Sequence, residues 1–179
     1  MKKNQKQKKA LLNLLTEFDK SIERELSPKK LGFKPIDKEI SEKLLKGVLS
    51  YRNCQDQIFD NFYRTRFDYV FRNRKLIIEY DEKQHFSEPR ALTFSLYPEI
   101  FLHFDKEIYK KLCEDTKNTT GSGKTPFRLE QRAYYDSLKD LTAAKNGYIL
   151  IRLIWKDYDF TVQEDKEQLY NLLKQKSCL

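Results

Sequence analysis

Long apolar runs are missing from this chain. No stretch approaches the ~20 consecutive apolar residues that a membrane-spanning helix requires, and the lysine-rich start is not followed directly by the apolar core of a signal peptide. The sequence therefore predicts a soluble, intracellular protein with no membrane partner. Cysteine is scarce: Cys54, Cys113 and Cys178 are odd in number and far apart, which argues for a reducing compartment and against a disulfide framework. Histidine is limited to His85 and His103, and no cysteines sit at paired metal-ligand spacing, so a structural zinc site is not expected. Acidic residues are outnumbered, 27 against 35 basic ones, for a formal charge of +8 and a pI near 9.2. That balance favours polyanionic partners, nucleic acid first. What is present is a core-forming composition, 39% hydrophobic and 13% aromatic over 179 residues, enough for one domain and an appendage.

Periodicity divides the chain into residues 1–36 and 37–179. The first part opens on Lys2, Lys3, Lys6, Lys8 and Lys9, read either as a solvated tail or as a phosphate-contacting arm. Leu11, Leu14, Leu15, Phe18 and Ile22 then fall at helical spacing, and Pro28 to Pro35, with Gly32 between, reads as a linker. The second part begins with a helix capped near Asp37 that carries Ile40, Leu44, Leu45, Val48 and Leu49. Three short strands are expected near 57–63, 65–71 and 75–81. The text from Ser87 to Pro126 is irregular, with one short helix around Glu107–Leu112, and reads as an insertion. Leu129–Asn146 predicts a helix closed by Gly147. Tyr148–Trp155, apolar except for Arg152, predicts a central strand covered on both faces. A last helix spans about Glu164–Lys176.

Chemistry concentrates in two of these strands. Arg66-Phe67-Asp68-Tyr69-Val70-Phe71 is joined by the Arg72-Asn73-Arg74 turn to Lys75-Leu76-Ile77-Ile78-Glu79-Tyr80-Asp81. Residues two apart share a strand face, so Ile77, Glu79, Asp81 and Lys83 point one way and Ile78 and Tyr80 the other. Strand acids are usually the wet side of a half-exposed pair. Here Leu76, Ile77 and Ile78 lead into Glu79, which argues for burial, and acids are otherwise depleted in strands. Buried carboxylates that repel one another need a cation. Asp68, Glu79 and Asp81 are thus expected to gather round a hard, oxygen-seeking ion such as Mg2+.

Around them stand further candidates. Lys83 is expected to neutralise the acids or steady charge on a phosphate, and Gln84 and His85 close the strand, His85 as a proton shuttle. Gln131, Asp136 and Lys139 lie on the long helix and can be packed across the sheet beside the acids. Arg152, alone among isoleucine and leucine, requires a buried anion or a phosphate. Arg64, Arg66, Arg72, Arg74 and Lys75 supply positive charge for a nucleic-acid backbone. Gly121-Ser122-Gly123-Lys124-Thr125 imitates the end of a phosphate-binding loop, but Asn118 stands where that motif has glycine and Pro126 follows, so no nucleotide site is expected.

Together these residues resemble the PD-(D/E)XK nuclease superfamily, the restriction-endonuclease-like fold, and within it the very-short-patch-repair and phage or homing endonuclease type. The resemblance rests on Arg66-Phe67-Asp68-Tyr69, Ile77-Ile78-Glu79-Tyr80-Asp81, Gln84-His85, Gln131, Asp136-Ser137-Leu138-Lys139 and Leu150-Ile151-Arg152, and covers about residues 39–155. It implies an αβββαβ core, a mixed sheet flanked by helices, and an endonuclease that hydrolyses DNA phosphodiester bonds with Mg2+, which Mn2+ can replace. Asp68, Glu79 and Asp81 would be the metal ligands, Lys83 or Lys139 the lysine, and Glu42 the family's glutamate ahead of the first strand. Cutting both strands of a duplex would call for a homodimer, and RNA stands as a further substrate because nothing here senses a 2′-hydroxyl. Specificity would lie in 87–126 and the N-terminal helix. Asp81 stands where the name-giving lysine belongs and Glu82 where glycine is common, which leaves as the alternative a nucleic-acid-binding module of the same fold without catalysis.

Overall fold

The structure is a computed structural model that describes residues 3–51, 64–116 and 127–177. The strand expected at 57–63 and the glycine-rich imitation at 121–125 lie outside the described residues. The first helix, α1, runs Lys3–Phe18. Its lysines Lys6, Lys8 and Lys9 are exposed on the first turns of an ordered helix, while Leu11, Leu14 and Leu15 are buried. The α2 helix, Lys38–Ser50, starts after Asp37 as expected. It is followed by β2 (Phe67–Phe71), β3 (Leu76–Asp81), α3 (Glu88–Ser95), α4 (Lys106–Thr116), α5 (Arg128–Lys145), β4 (Ile149–Ile154) and α6 (Gln163–Ser177).

One strand was not expected. Glu23–Leu26, β1, lies between α1 and α2 and pairs antiparallel with β2 through Glu23–Val70, Arg24–Tyr69 and Leu26–Phe67. It is four residues long and charged, as an edge strand is when it is protected from further pairing, so it carries no apolar run to read. The stretch between Pro28 and Pro35 is no linker either. Phe33 is buried and meets Phe67 and Tyr148 edge-on, at 5.7 and 4.7 Å between ring centroids, and Ile36 is buried against α2 and α5. The segment from residue 87 holds two helices in place of one. Pro89, which reads as a breaker, stands in the first turn of α3, where its missing N–H costs nothing.

The sheet order is β1-β2-β3-β4, antiparallel except for the parallel β3–β4 pair. This is an α/β architecture with a mixed four-stranded sheet between helices. On one face Tyr69, Phe71, Ile78, Tyr80, Ile151 and Leu153 pack against α1 and α6. On the other, Val70, Ile77 and Leu150 meet Ala143 of α5. All of β3 is buried, and the division of its side chains between faces is the one its alternation predicts. β4 is covered on both faces as expected, but among the described strands it ends the sheet; β2 and β3 are the inner pair. Gly147, at φ +69°, takes the left-handed turn that ends α5, and the Tyr148 N–H donates back to the Ala143 carbonyl at 2.9 Å. The chain therefore drops from α5 directly into β4, which fixes α5 across the sheet face that carries Glu79.

Candidate active site at the open end of the sheet

The β2–β3 register pairs Tyr69 with Ile78, which sets Asp68 opposite Glu79. At this point carboxylates take over the joining of the strands. The Asp68 N–H donates to Glu79 Oε1 at 3.0 Å, and the Tyr80 N–H donates to Asp68 Oδ2 at 3.0 Å. Each acid is thereby fixed by the backbone of the opposite strand, without recourse to a flexible side chain. Glu79 is buried and Asp68 half-buried. Burial pushes the Glu79 carboxyl up to about 8, with Lys139 pulling against it and the Asp68 charge adding to it. Lys139 Nζ reaches down from α5 and donates to Glu79 Oε2 at 2.6 Å. Asp68 Oδ1 accepts no hydrogen bond from any described residue.

A groove of about 260 Å3 opens beside Lys139. Arg128, Gln131, Arg132, Tyr135 and Lys139 line it from one side of α5, and Arg64 and Arg66 from the segment leading into β2. The spacing of three and four along α5 brings these side chains onto one face. Arg132 also donates to the Gln84 carbonyl at 3.0 Å, tying α5 to the turn after β3.

Asp81 faces the same way as Glu79 but joins a different cluster. Arg152 Nη1 donates to both of its carboxylate oxygens at 2.8 and 2.7 Å, and the Tyr109 hydroxyl donates to Oδ2. Arg152 Nε donates to Asp140 Oδ1 at 2.7 Å and Nη2 to the Asp136 carbonyl at 3.2 Å. On the far side of Asp140, Arg90 from α3 pairs with Oδ2 and donates to Ser137 Oγ at 2.8 Å and the Tyr97 hydroxyl at 2.7 Å. His85 Nδ1 lies 2.9 Å from Asp136 Oδ2 and 3.4 Å from Asp81 Oδ1. Two arginines and one histidine thus meet three buried aspartates, a network in which every charge has a partner.

The sequence-predicted residues divide accordingly. Asp68, Glu79 and Lys139 come together, with Gln131, His85, Arg64 and Arg66 along the adjoining groove. The three-carboxylate cluster does not form: Asp81 is held by Arg152, and among the described residues no three His, Cys, Asp or Glu side chains group as metal ligands. Lys83 does not share the face of the acids, because β3 ends at Asp81 and Lys83 lies exposed in a 3-10 turn. Gln84 turns outward to Glu82 Oε2 at 3.0 Å. Asp136 and Arg152 support the buried network. Glu42 is exposed and pairs with Lys38 within α2. Arg72, Arg74 and Lys75 sit in the β2–β3 turn, at the other end of the strands from Asp68, about 13 Å away at the rise of a strand. There Arg72 pairs with Glu23 and Arg74 with Asp19 at 2.7 Å.

Sequence reading missed Arg128, Arg132 and Tyr135 in the groove; their spacing with Lys139 was the available signal. It also missed Arg90, Tyr97, Tyr109 and Asp140, whose partners are tertiary and leave no local pattern.

The network carries an acid-stability prediction. Burial alone would raise the Asp81 and Asp136 carboxyls, but the opposing groups together, Arg152, His85 and Tyr109 at Asp81 and His85, Arg152 and Lys139 at Asp136, hold both below the usual range. A depressed carboxyl stabilises the fold above its ordinary pKa and loses that contribution as pH falls. Stability is expected to drop from pH 4 downward by up to roughly 3 kcal/mol per pH unit from the two groups together. Urea unfolding at pH 7, 4 and 3 measures it, and an unchanged midpoint at pH 3 would refute it.

No protein-family model matches the chain, and neither the curated proteins nor the solved structures give a match.

Proposed function

We propose that the chain is a Mg2+-dependent endonuclease of the restriction-endonuclease-like fold that hydrolyses DNA phosphodiester bonds. The observation that carries the reading is the Asp68–Glu79–Lys139 group, its acids anchored to backbone at the open end of β2–β3 and its lysine lining a groove walled by arginines. Hard carboxylate oxygens suit Mg2+ or Mn2+, and Mg2+ is commonly held by only one or two carboxylates, with waters and substrate phosphate completing its shell. Asp68 and Glu79 fit that description. Asp68 offers an unpaired oxygen, and the outer oxygen of Glu79 is met by the Lys139 ammonium, which a second cation can relieve. When bound, such an ion supplies Lewis acidity and lowers the pKa of a water.

The chain's own residues do the rest. Arg64, Arg66, Arg128 and Arg132 hold the phosphate backbone along the groove, which makes binding salt-sensitive. Lys139, freed from full engagement with Glu79, places its ammonium beside the scissile phosphate and orients the attacking water. His85 lines the same groove with its Nδ1 fixed by Asp136, so Nε2 is free to pass a proton toward the leaving oxygen. With the lysine on α5, the aspartate at position 81 serves structure, and Arg152 takes its charge.

The test is incubation of the purified chain with supercoiled plasmid, single-stranded DNA and RNA, with Mg2+, Mn2+ or EDTA. Metal-dependent cleavage that EDTA suppresses is expected. Thermal melting alongside should show stabilisation by Mn2+ or Mg2+, in proportion to ion concentration over its dissociation constant. Salt-sensitive DNA binding with no cleavage of varied sequences and no metal-induced stabilisation would instead establish the non-catalytic binding module.

A further inference from the structure

Across the sheet from Glu79, on the face packed by α1 and α6, a cavity of about 520 Å3 lies between the first turns of α1 and the segment leaving β4. Its walls hold Tyr80, Trp155 and Tyr158 together with Asp157, Asp159 and Asp165, and no aliphatic side chain lines it. The frame is firmly built. Gln7, buried in α1, donates to Asp159 Oδ1 at 2.7 Å and accepts the Phe160 N–H at 2.9 Å. Tyr158 stacks on Phe160, and Trp155 packs on Phe86 at 5.0 Å between centroids.

Asp159 is held by Gln7 and Thr161, but several of the other polar groups facing this space are left over from folding. Tyr80 is only 3% exposed, yet no described residue bonds its hydroxyl. Among the described residues only Thr142 Oγ1 is sealed away without a partner, so the Tyr80 hydroxyl opens on the cavity it lines. The Tyr158 hydroxyl and the Asp157 carboxylate likewise have no described partner, and Asp165 uses only Oδ2, which accepts the Asp159 N–H at 2.6 Å. Three carboxylates face one ammonium, that of Lys156. After burial, nearby acids raise the Tyr80 and Tyr158 hydroxyls further, as a negative potential requires. Spare acceptors outnumber spare donors, the net charge is negative and the walls are aromatic. A metal ion does not need that much aromatic wall, and a phosphate or nucleic-acid strand is repelled by it.

We propose that this cavity binds an organic cation, a guanidinium or primary ammonium group carried by a free small molecule or by an arginine or lysine side chain of a peptide. The aromatic faces receive the cation, and the carboxylates and tyrosine hydroxyls accept its N–H donors. The inference uses none of the residues of the proposed nuclease site and holds or falls without it.

Trp155 is the chain's single tryptophan and stands in the cavity wall, so its fluorescence reports occupancy. The full chain is titrated with agmatine, spermidine and an acetyl-Gly-Arg-Gly-amide peptide, with the citrulline analogue of that peptide as neutral control, and the heats are measured in parallel. Saturable binding of at least one cation and none of the citrulline peptide is expected; preference for the free amines or for the arginine peptide identifies the source. Asp157→Asn should weaken binding by about tenfold and Tyr80→Phe by about threefold, as lost charge-assisted and neutral hydrogen bonds do. Both changes leave the packing intact. No saturable signal by either method, equal binding of the citrulline peptide, or full affinity in both variants would overturn the assignment.

Discussion

Lys139→Met is expected to remove cleavage, lowering its rate by at least about 10²- to 10³-fold, the usual loss when one preorganised donor to developing charge is deleted, while the fold survives. The second half of that expectation follows from Glu79. Lys139 is the ammonium bonded to its outer oxygen, at 2.6 Å. Burial already drives the Glu79 carboxyl up to about 8 with that lysine in place. At that value it already carries its proton for most of the time at pH 7, and without the lysine it rises further, so no buried anion is stranded. The stability cost should stay near 1 kcal/mol, the net worth of one hydrogen bond. Asp68→Asn should cost as much activity by a different route, since it halves the charge available to a divalent ion. The two are told apart by thermal melting with Mn2+: stabilisation persists in Lys139→Met and disappears in Asp68→Asn. Full cleavage by the methionine variant would return the lysine role to another residue and undo the assignment.

Arg152→Met is expected to do the opposite: a heavy loss of stability from a residue with no place in the groove. Arg152 is completely buried and uses Nε, Nη1 and Nη2 on Asp140, Asp81 and the Asp136 carbonyl. Methionine fills the volume but leaves Asp81 with only Tyr109 and His85, and Asp140 with Arg90 and the Tyr97 hydroxyl. Removing one partner from a buried ionic network costs about 3–5 kcal/mol, a large share of the 5–15 kcal/mol that holds a typical domain. Arg152→Lys should recover little, because one ammonium cannot reproduce three directed donors. Urea unfolding at pH 7 decides it. A loss below about 1 kcal/mol would mean the aspartates are not the charged groups the geometry implies.

The two predictions mark how far the sequence could be read. Alternation along β3 assigned Ile77, Glu79 and Asp81 to one face and Ile78 and Tyr80 to the other, and the structure keeps that division. A shared face is a weaker statement than a shared site. Asp81 lies two residues, about 7 Å, beyond Glu79, and Arg152, opposite Glu79 in the parallel register, reaches along the strand to take it. Lys83 depended on the strand continuing, and a 3-10 turn ended it. Lys139, the other lysine the sequence offered, is the one that reaches Glu79, because the Gly147 turn lays α5 over the sheet. Gly147 was legible because a glycine helix end is local chemistry, and α2 does start after Asp37, although the Asp37 carboxylate pairs with Lys145 and does not cap the helix. β1 and the burial of Phe33 were not, because a short charged edge strand and a pair of prolines look like loop until their distant partners are known.

The distances along the chain between those partners also bear on when the molecule becomes competent. Glu79 and Lys139 are 60 residues apart, and Asp81 and Arg152 are 71 apart. The first contact needs α5 laid across the sheet and the second needs β4 laid parallel beside β3. Pairings of such long range form late, after the entropy of closing a large loop has been met. A growing or partly unfolded chain therefore carries its carboxylates and its lysine as unconnected fragments. Whatever chemistry the centre performs depends on these long-range contacts and is lost when they open.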